Sequence, residues 1–134
     1  MVIDTSALIA ILLNEPEADK FIDAIAKSSE RFVSVFSILE AGIVIQARKG
    51  IAGKEELDHL ISHSRIKAVA LNQEQMEIAL EAWQRFGKGR HPAGLNIGDC
   101  CSYALAKYSG EPLLFKGNDF GETDITMVFF ENTE

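Results

Sequence analysis

The stretch Met1-Val2-Ile3-Asp4-Thr5-Ser6 is an apolar run that ends abruptly on a carboxylate followed by two hydroxyls. Val2 and Ile3 are β-branched, which suits a buried strand, and residues 7–13 then have helical character. Asp4 is therefore predicted to lie where a central strand gives way to a helix. In open α/β sheets, ligands bind outside the carboxyl ends of the strands. A carboxylate at that edge is costly to desolvate unless something cationic meets it.

Outward from this stretch, helix-like and strand-like segments alternate along the chain. Helices are predicted over residues 17–29, 36–49, 53–63 and 73–86, and a further helix from Asn96 or Gly98 to about residue 108. Strands are predicted over residues 31–35, 66–71, 113–115 and 125–130. Gly50 is a natural stop for one helix, and Asn72 is a natural cap for another. This alternation predicts an α/β fold with a central, mostly parallel sheet flanked by helices on both faces.

Length, composition and cysteine usage limit the class of protein. The chain has 134 residues, of which 47% are hydrophobic, and this predicts a single domain over residues 1–134. No apolar stretch has the length of a membrane span, and no basic segment precedes the first apolar run as in a signal peptide. Cys100 and Cys101 are adjacent, so a disulfide between them is not expected. We therefore predict a cytoplasmic protein.

The net charge of −7 argues, at face value, against a polyanionic partner. A group of carboxylates that binds divalent cations would reverse the local sign, because the bound ions are the largest charges in such a site. The charge balance alone therefore does not exclude nucleic acid as a partner.

Four carboxylates stand in apolar or glycine-rich surroundings. Asp4 ends the first strand, and Glu40 is the only acid in the apolar first part of its helix. Asp99 lies in the first turn of a later helix, and Asp119 follows the short fourth strand. Taken singly, Asp99 is more simply a helix-dipole residue and Asp119 a turn former. Together, four isolated acids at strand ends and helix starts favour a cluster.

Such a cluster predicts a metal site. Carboxylates gathered within a few ångströms repel one another unless a cation joins them. All-oxygen ligands, without a set of histidines or cysteines at metal spacing, select Mg²⁺ or Mn²⁺ over zinc. One or two such ions would orient a water as nucleophile and stabilise the leaving oxygen in the hydrolysis of a phosphodiester.

A basic group precedes the helix that carries Asp99, and it consists of Arg85, Lys88, Arg90 and His91. One interpretation is that these residues contact a nucleic-acid backbone beside the acids. The other is a solvated loop with no ligand. The sequence leaves both open.

The combination of motifs resembles that of the PIN-domain proteins, and specifically the VapC-type ribonuclease toxins of bacterial type II toxin–antitoxin systems. The matching pieces are residues 1–8, 37–41, 95–100, 115–120 and 123–125. Each piece is short, but their order and spacing make the combination specific, and together they cover nearly the whole chain.

The resemblance implies a PIN fold, with a parallel sheet between helices and the acids meeting at its carboxyl edge. It also implies endonucleolytic cleavage of RNA that depends on Mg²⁺ or Mn²⁺. Carried over by position, Asp4 and Asp99 would be direct metal ligands. Glu40 would be a ligand or a water-positioning group, and Asp119 would complete the acidic set. Asn118 precedes Asp119, and either would face the metal while the other holds the turn.

Supporting residues and partners follow from the same resemblance. Ser6 and Asn96 would support the site. Together with Arg90 of the basic group described above, they are also candidates for contacting the substrate. The implied partners are RNA, a cognate VapB-type antitoxin that occupies the active-site groove, and a second copy of the chain in a homodimer.

Three other functions compete with this interpretation. A phosphatase of the haloacid-dehalogenase type would use Asp4 as nucleophile, but it needs a second aspartate where Ser6 stands. A non-catalytic PIN-like binding module would keep the fold without cleavage, and metal-dependent cleavage separates it from a nuclease. A housekeeping RNA-processing nuclease would lack a small upstream gene for a DNA-binding antitoxin.

Overall fold

The computed structural model describes residues 1–130 and contains a four-stranded sheet in which every strand pairing is parallel. The strands are β1 (Val2–Ile3), β2 (Phe32–Ser34), β3 (Lys67–Val69) and β4 (Leu113–Leu114), arranged in the order β3-β2-β1-β4. Because β1 lies between β2 and β4, the residue that follows Ile3 lies at the centre of the carboxyl edge.

Five α-helices and one short 3₁₀ helix surround the sheet within residues 1–130. They are α1 (Thr5–Leu12), α2 (Ala18–Lys27), α3 (Val35–His63), α4 (Gln73–Phe86), α5 (Ile97–Ser109) and the 3₁₀ helix Asp119–Glu122. In α3, Gly50 has φ 64° and ψ −150°, a break that divides it into the two helices expected from the sequence. None of these helices is long and apolar enough to cross a lipid bilayer.

The two residues of β1 point into different halves of the core, as alternation along a strand requires. Ile3 is fully buried in a cluster with residues of α1, α2 and α3. Val2 is fully buried in a second cluster with residues of α4 and α5. Helices therefore cover both faces of the parallel sheet, and the predicted α/β architecture is confirmed.

Residues 125–130 do not form the last strand that the sequence predicted. The segment makes a single parallel bridge, between Met127 and Leu113. Two backbone hydrogen bonds support it, from Leu113 N to Thr126 O at 2.9 Å and from Val128 N to Leu113 O at 3.0 Å. Because β4 has only two residues, its outer edge is too short to support a longer ladder.

Candidate active site

Asp4 lies at the carboxyl end of the central strand and is only 3% exposed. Its Oδ2 accepts hydrogen bonds from the backbone N of Ser6 at 3.0 Å and from the Ser6 hydroxyl at 2.6 Å. Its Oδ1 accepts a hydrogen bond from the Ser102 hydroxyl at 2.5 Å. Asp4 is also the N-cap of α1. Both oxygens of this buried carboxylate are therefore held by the protein.

Ser6 ties Asp4 to the end of β4. Its hydroxyl donates to Asp4 and accepts a hydrogen bond from the backbone N of Lys116 at 2.9 Å. The Nζ of Lys116 in turn lies 3.0 Å from Glu15 and 3.2 Å from Glu17. Ser6 therefore supports Asp4, because the Ser6 hydroxyl proton is already donated to the Asp4 carboxylate.

Asp99 and Asn96 form a capping box at the start of α5. The Asn96 side-chain oxygen accepts a hydrogen bond from Asp99 N at 2.9 Å, and Asp99 Oδ2 accepts one from Asn96 N at 3.0 Å. The second carboxylate oxygen of Asp99 has no hydrogen-bond partner within residues 1–130. Asp99 therefore caps the helix with one oxygen and leaves the other for a ligand.

The pKa of Asp99 is raised from 3.8 to about 6. Burial is the largest cause, and the hydrogen bond from the Asn96 backbone opposes it. The negative charges of Asp4, Asp119 and Glu40 raise the pKa further. Asp99 therefore lies within electrostatic reach of the other three predicted acids.

Asp119 begins the 3₁₀ helix that follows β4, and Asn118 is its N-cap. The Asp119 side chain is exposed, and its charge contributes to the raised pKa of Asp99. The backbone oxygen of Asn118 accepts a hydrogen bond from Gly121 N at 3.1 Å. The Asp119 carboxylate is thus within electrostatic reach of Asp99, while Asn118 contributes a backbone oxygen to the turn.

Glu40 lies on α3 and packs against the start of α5. A Cβ placed on Gly98 would lie 2.5 Å from Oε1 and 2.7 Å from Oε2 of Glu40. Because real Cβ atoms do not approach other atoms so closely, the Glu40 carboxylate occupies space that only a glycine at residue 98 leaves open. Gly98 thereby admits Glu40 to the neighbourhood of Asp99.

No lysine or arginine within residues 1–130 forms an ion pair with any of the four acids. In the same part of the chain, no three His, Cys, Asp or Glu side chains are grouped closely enough to enclose one ion. Mg²⁺ usually keeps several waters and takes only one or two carboxylates from the protein. An all-oxygen set with unrelieved repulsion at Asp99 fits such a hydrated ion.

Three members of the basic group, Arg85, Arg90 and His91, make their contacts away from the four acids. Arg85 lies 3.5 Å from Asp124, and His91 accepts a hydrogen bond from a backbone N–H of its own loop. Arg90 donates to a backbone carbonyl of α4, and its guanidinium lies 4.9 Å from the centre of the Trp83 ring. Within the described residues, Arg90 makes no contact with the four acids.

A groove of about 430 Å³ runs between α4 and α5, beside the start of α5. Its lining is mainly apolar and includes Leu80, Trp83 and Ile97, with Lys88 and Asn96 at its polar side. Ile97 is 70% exposed and Leu80 is 55% exposed. Contiguous apolar surface of this kind marks interaction sites.

Ser102 and Gly98 were not singled out from the sequence. Ser102 stands in an uncharged helical run, and it contacts Asp4 across a separation of 98 residues. Neither role is visible without the contact that defines it.

A family model described as the PIN domain matches residues 1–125. VapC ribonuclease Mb0640 of Mycobacterium bovis is 51% identical over 128 residues, which cover 96% of this chain and 98% of the relative. A ribonuclease VapC of Mycolicibacterium smegmatis is 52% identical over 128 residues, with 96% and 99% covered.

Two solved structures share the fold at low sequence identity. VapC20 of Mycobacterium tuberculosis, described as a sarcin-ricin loop cleaving toxin, has a TM-score of 0.77 at 15% identity and covers 95% of this chain and 97% of its own. A toxin–antitoxin complex from Klebsiella pneumoniae has a TM-score of 0.72 at 16% identity, with 98% of each chain covered. The family predicted from the motifs is confirmed: the chain belongs to the PIN-domain family and, within it, to the VapC ribonucleases.

Proposed function

We propose that this protein is a metal-dependent endoribonuclease and the toxin of a VapBC-type toxin–antitoxin module. The observation that carries the proposal is that Asp99, partly buried at the start of α5, has its pKa raised by burial and by the negative charges of Asp4, Asp119 and Glu40. Identity of about half over nearly the full chain to proteins named VapC ribonucleases supports the same activity.

In this proposal Asp4 and Asp99 hold the ion, and Glu40 and Asp119 supply further ligands or position water. The ion, Mg²⁺ or Mn²⁺, would activate a water and stabilise the oxygen that leaves the phosphorus. The chain's own contribution is to fix these oxygens before the ion arrives. Asp4 is held on both oxygens, while Asp99 is held on one by the capping box.

RNA is the substrate that we propose, although the chain is acidic overall. A divalent ion among the four acids would convert a repulsive edge into one that attracts the scissile phosphate. Lys88 and Asn96, which line the groove beside α5, are the polar groups best placed to contact the flanking backbone. Arg90 is a weaker candidate, because its guanidinium is already stacked on Trp83.

We propose a VapB-type antitoxin as the partner that keeps this toxin inactive. The solved toxin–antitoxin complex from Klebsiella pneumoniae, which shares the fold, supports a partner of that kind. The antitoxin would occupy the groove over the acids, so an equimolar amount should stop cleavage. Cleavage that continues in a demonstrated complex would contradict this placement.

We also propose a homodimer that buries the apolar part of the groove between α4 and α5 and leaves its polar side, with Lys88 and Asn96, open to RNA. Leu80 and Ile97 are exposed apolar side chains along that groove, and burial against a second copy would remove them from water. Leu80→Glu should therefore give a monomer by light scattering. Ile51→Glu is the control, because Ile51 is also 70% exposed but lies outside the groove. An unchanged dimer mass for Leu80→Glu would contradict the assignment.

The direct test of the activity is cleavage of RNA by the purified protein with Mg²⁺ or Mn²⁺. We expect cleavage to be lost with EDTA and in Asp4→Asn, and kept in Asp58→Asn, which changes an exposed aspartate of α3. Full activity of Asp4→Asn would contradict the site. Failure to cleave any RNA, with no metal binding, would favour a non-catalytic binding module.

A further inference from the structure

Two buried serines form a hydrogen-bonded chain that ends on Asp4. Ser37 and Ser102 are both 0% exposed, and their hydroxyl oxygens lie 3.3 Å apart. The Ser102 hydroxyl lies 2.5 Å from Asp4 Oδ1. The chain joins three parts of the fold, because Ser37 is on α3, Ser102 is on α5 and Asp4 ends β1.

The direction of the chain follows from proton counting. A serine hydroxyl has one proton to donate and can also accept. An ionised Asp4 only accepts, so Ser102 gives its proton to Asp4. Ser37 must then be the donor in the bond between the two serines. A chain of donors directed at a charge in a buried setting is stronger than its separate bonds.

The two serines also lie one helical turn from two of the other acids. Ser37 precedes Glu40 by three residues on α3, and Ser102 follows Asp99 by three residues on α5. Residues three apart in a helix lie on one face. The hydroxyl chain thus links the three elements that carry Asp4, Glu40 and Asp99.

We propose that Ser37 and Ser102 are positioning residues for the divalent-cation site, an inference that rests on the proposed function. Ser6 holds Asp4 Oδ2 from the same segment of chain. Ser102 holds Asp4 from α5, so this hydrogen bond also sets the distance between Asp4 and that helix. With a donor on each oxygen, the carboxylate cannot rotate, and its remaining lone pair, on Oδ1, is held in a fixed direction for a cation.

The test measures metal affinity directly as well as activity. In Ser102→Ala we expect Mn²⁺ affinity, measured by calorimetry, to fall about tenfold, as is usual when a group that orients a ligand is removed. The metal concentration for half-maximal RNA cleavage should rise by a similar factor, and excess metal should restore cleavage. A residue that only stabilised the fold would lower the melting temperature without changing the metal requirement.

Two further variants keep the test decisive. Ser37→Ala removes only the outer donor and should weaken Mn²⁺ binding in the same direction but less, and it decides the question if Ser102→Ala does not fold. Ser109→Ala is the matched control, because Ser109 is also on α5 but its hydroxyl donates to the Leu105 carbonyl at 2.7 Å. It should bind Mn²⁺ like the wild type.

The outcomes separate this inference from the function on which it rests. Wild-type Mn²⁺ affinity in folded Ser102→Ala, or in Ser37→Ala if the first variant does not fold, would overturn the positioning role alone. Absence of Mn²⁺ binding by the wild type, or equal binding by Asp4→Asn, would overturn the metal site and the positioning role together.

Discussion

Glu40 and Gly98 fit together so closely that a single added carbon at residue 98 would overlap the Glu40 carboxylate. The distance from such a Cβ to Glu40 Oε1 would be 2.5 Å. Gly98 also precedes Asp99 directly, so the missing side chain brings two acids from different helices to one place. The relationship explains why a helix that would be more stable with alanine keeps a glycine in its first turn.

Gly98→Ala should therefore impair catalysis. Helix propensity alone would favour the alanine by about 0.5–1 kcal/mol, but the overlap forces Glu40 to move. A displacement of about 1 Å at a catalytic group typically costs on the order of a hundredfold in rate. We expect a loss of at least about tenfold in the RNA cleavage rate at saturating metal, with no gain in melting temperature.

Gly42→Ala is the control for this change. Gly42 is also a helical glycine, and a Cβ there would make only an ordinary contact, 3.8 Å from Leu57. It should leave the cleavage rate unchanged. Equal rates for Gly98→Ala and the wild type would show that Glu40 does not need its present position.

Asp99→Asn should stabilise the metal-free protein at neutral pH. The pKa of Asp99 is about 6 in the fold against 3.8 ordinarily, so the folded state holds the proton more tightly than the unfolded state. Stability is therefore lost as pH rises from about 4 through about 6, and the penalty is complete above that range. Allowing for the solvent that still reaches Asp99, the gain should be on the order of 1 kcal/mol.

The measurement is denaturant unfolding in EDTA at several pH values. An asparagine can still accept the hydrogen bond from Asn96 N, so the capping box is kept. The advantage of Asp99→Asn should shrink as pH falls from about 7 to about 4, because the wild-type carboxyl is then protonated in the fold. Asp58→Asn should show no such trend. If Asp99→Asn were less stable than the wild type at neutral pH, charge repulsion at Asp99 would be contradicted.

Tyr103→Phe should weaken the fold without affecting the site. The Tyr103 hydroxyl donates to Asp124 Oδ1 at 2.6 Å, and Asp124 also lies 3.3 Å from Lys107 and 3.5 Å from Arg85. Loss of the hydroxyl should lower the free energy of unfolding by about 1 kcal/mol. Chemical unfolding measures this, with Tyr108→Phe at an exposed position as control. A larger loss of unfolding free energy for Tyr108→Phe than for Tyr103→Phe would contradict a stabilising role of the Tyr103–Asp124 hydrogen bond.

Much of the fold follows from local sequence pattern. The β-branched pair Val2 and Ile3 marks the central strand, and the acid that follows it lies at the ligand edge as expected. Gly50 and Asn72 were predicted as helix boundaries because stop and cap residues act through their own backbone surroundings. The strand predicted over residues 125–130 was wrong, since strand formation depends on the length of the neighbouring edge.

The candidate site also contains some residues that the sequence identifies and others that it does not. Its four acids were visible because isolated charge in apolar surroundings is unusual. Ser102 was not visible, because a serine in a helix carries no mark until its partner Asp4 is known. Gly98 was missed for the same reason, since its role is to leave space for the side chain of Glu40. Long-range contacts of this kind have no local signal.

Calorimetric titration with Mn²⁺ tests most directly whether Asp4 and its neighbouring acids hold a divalent cation. We expect the wild-type protein and Asp58→Asn to bind Mn²⁺ alike. Asp4→Asn, with its fold verified by circular dichroism, should bind at least about tenfold more weakly. Equal affinity in Asp4→Asn and the wild type would contradict the account.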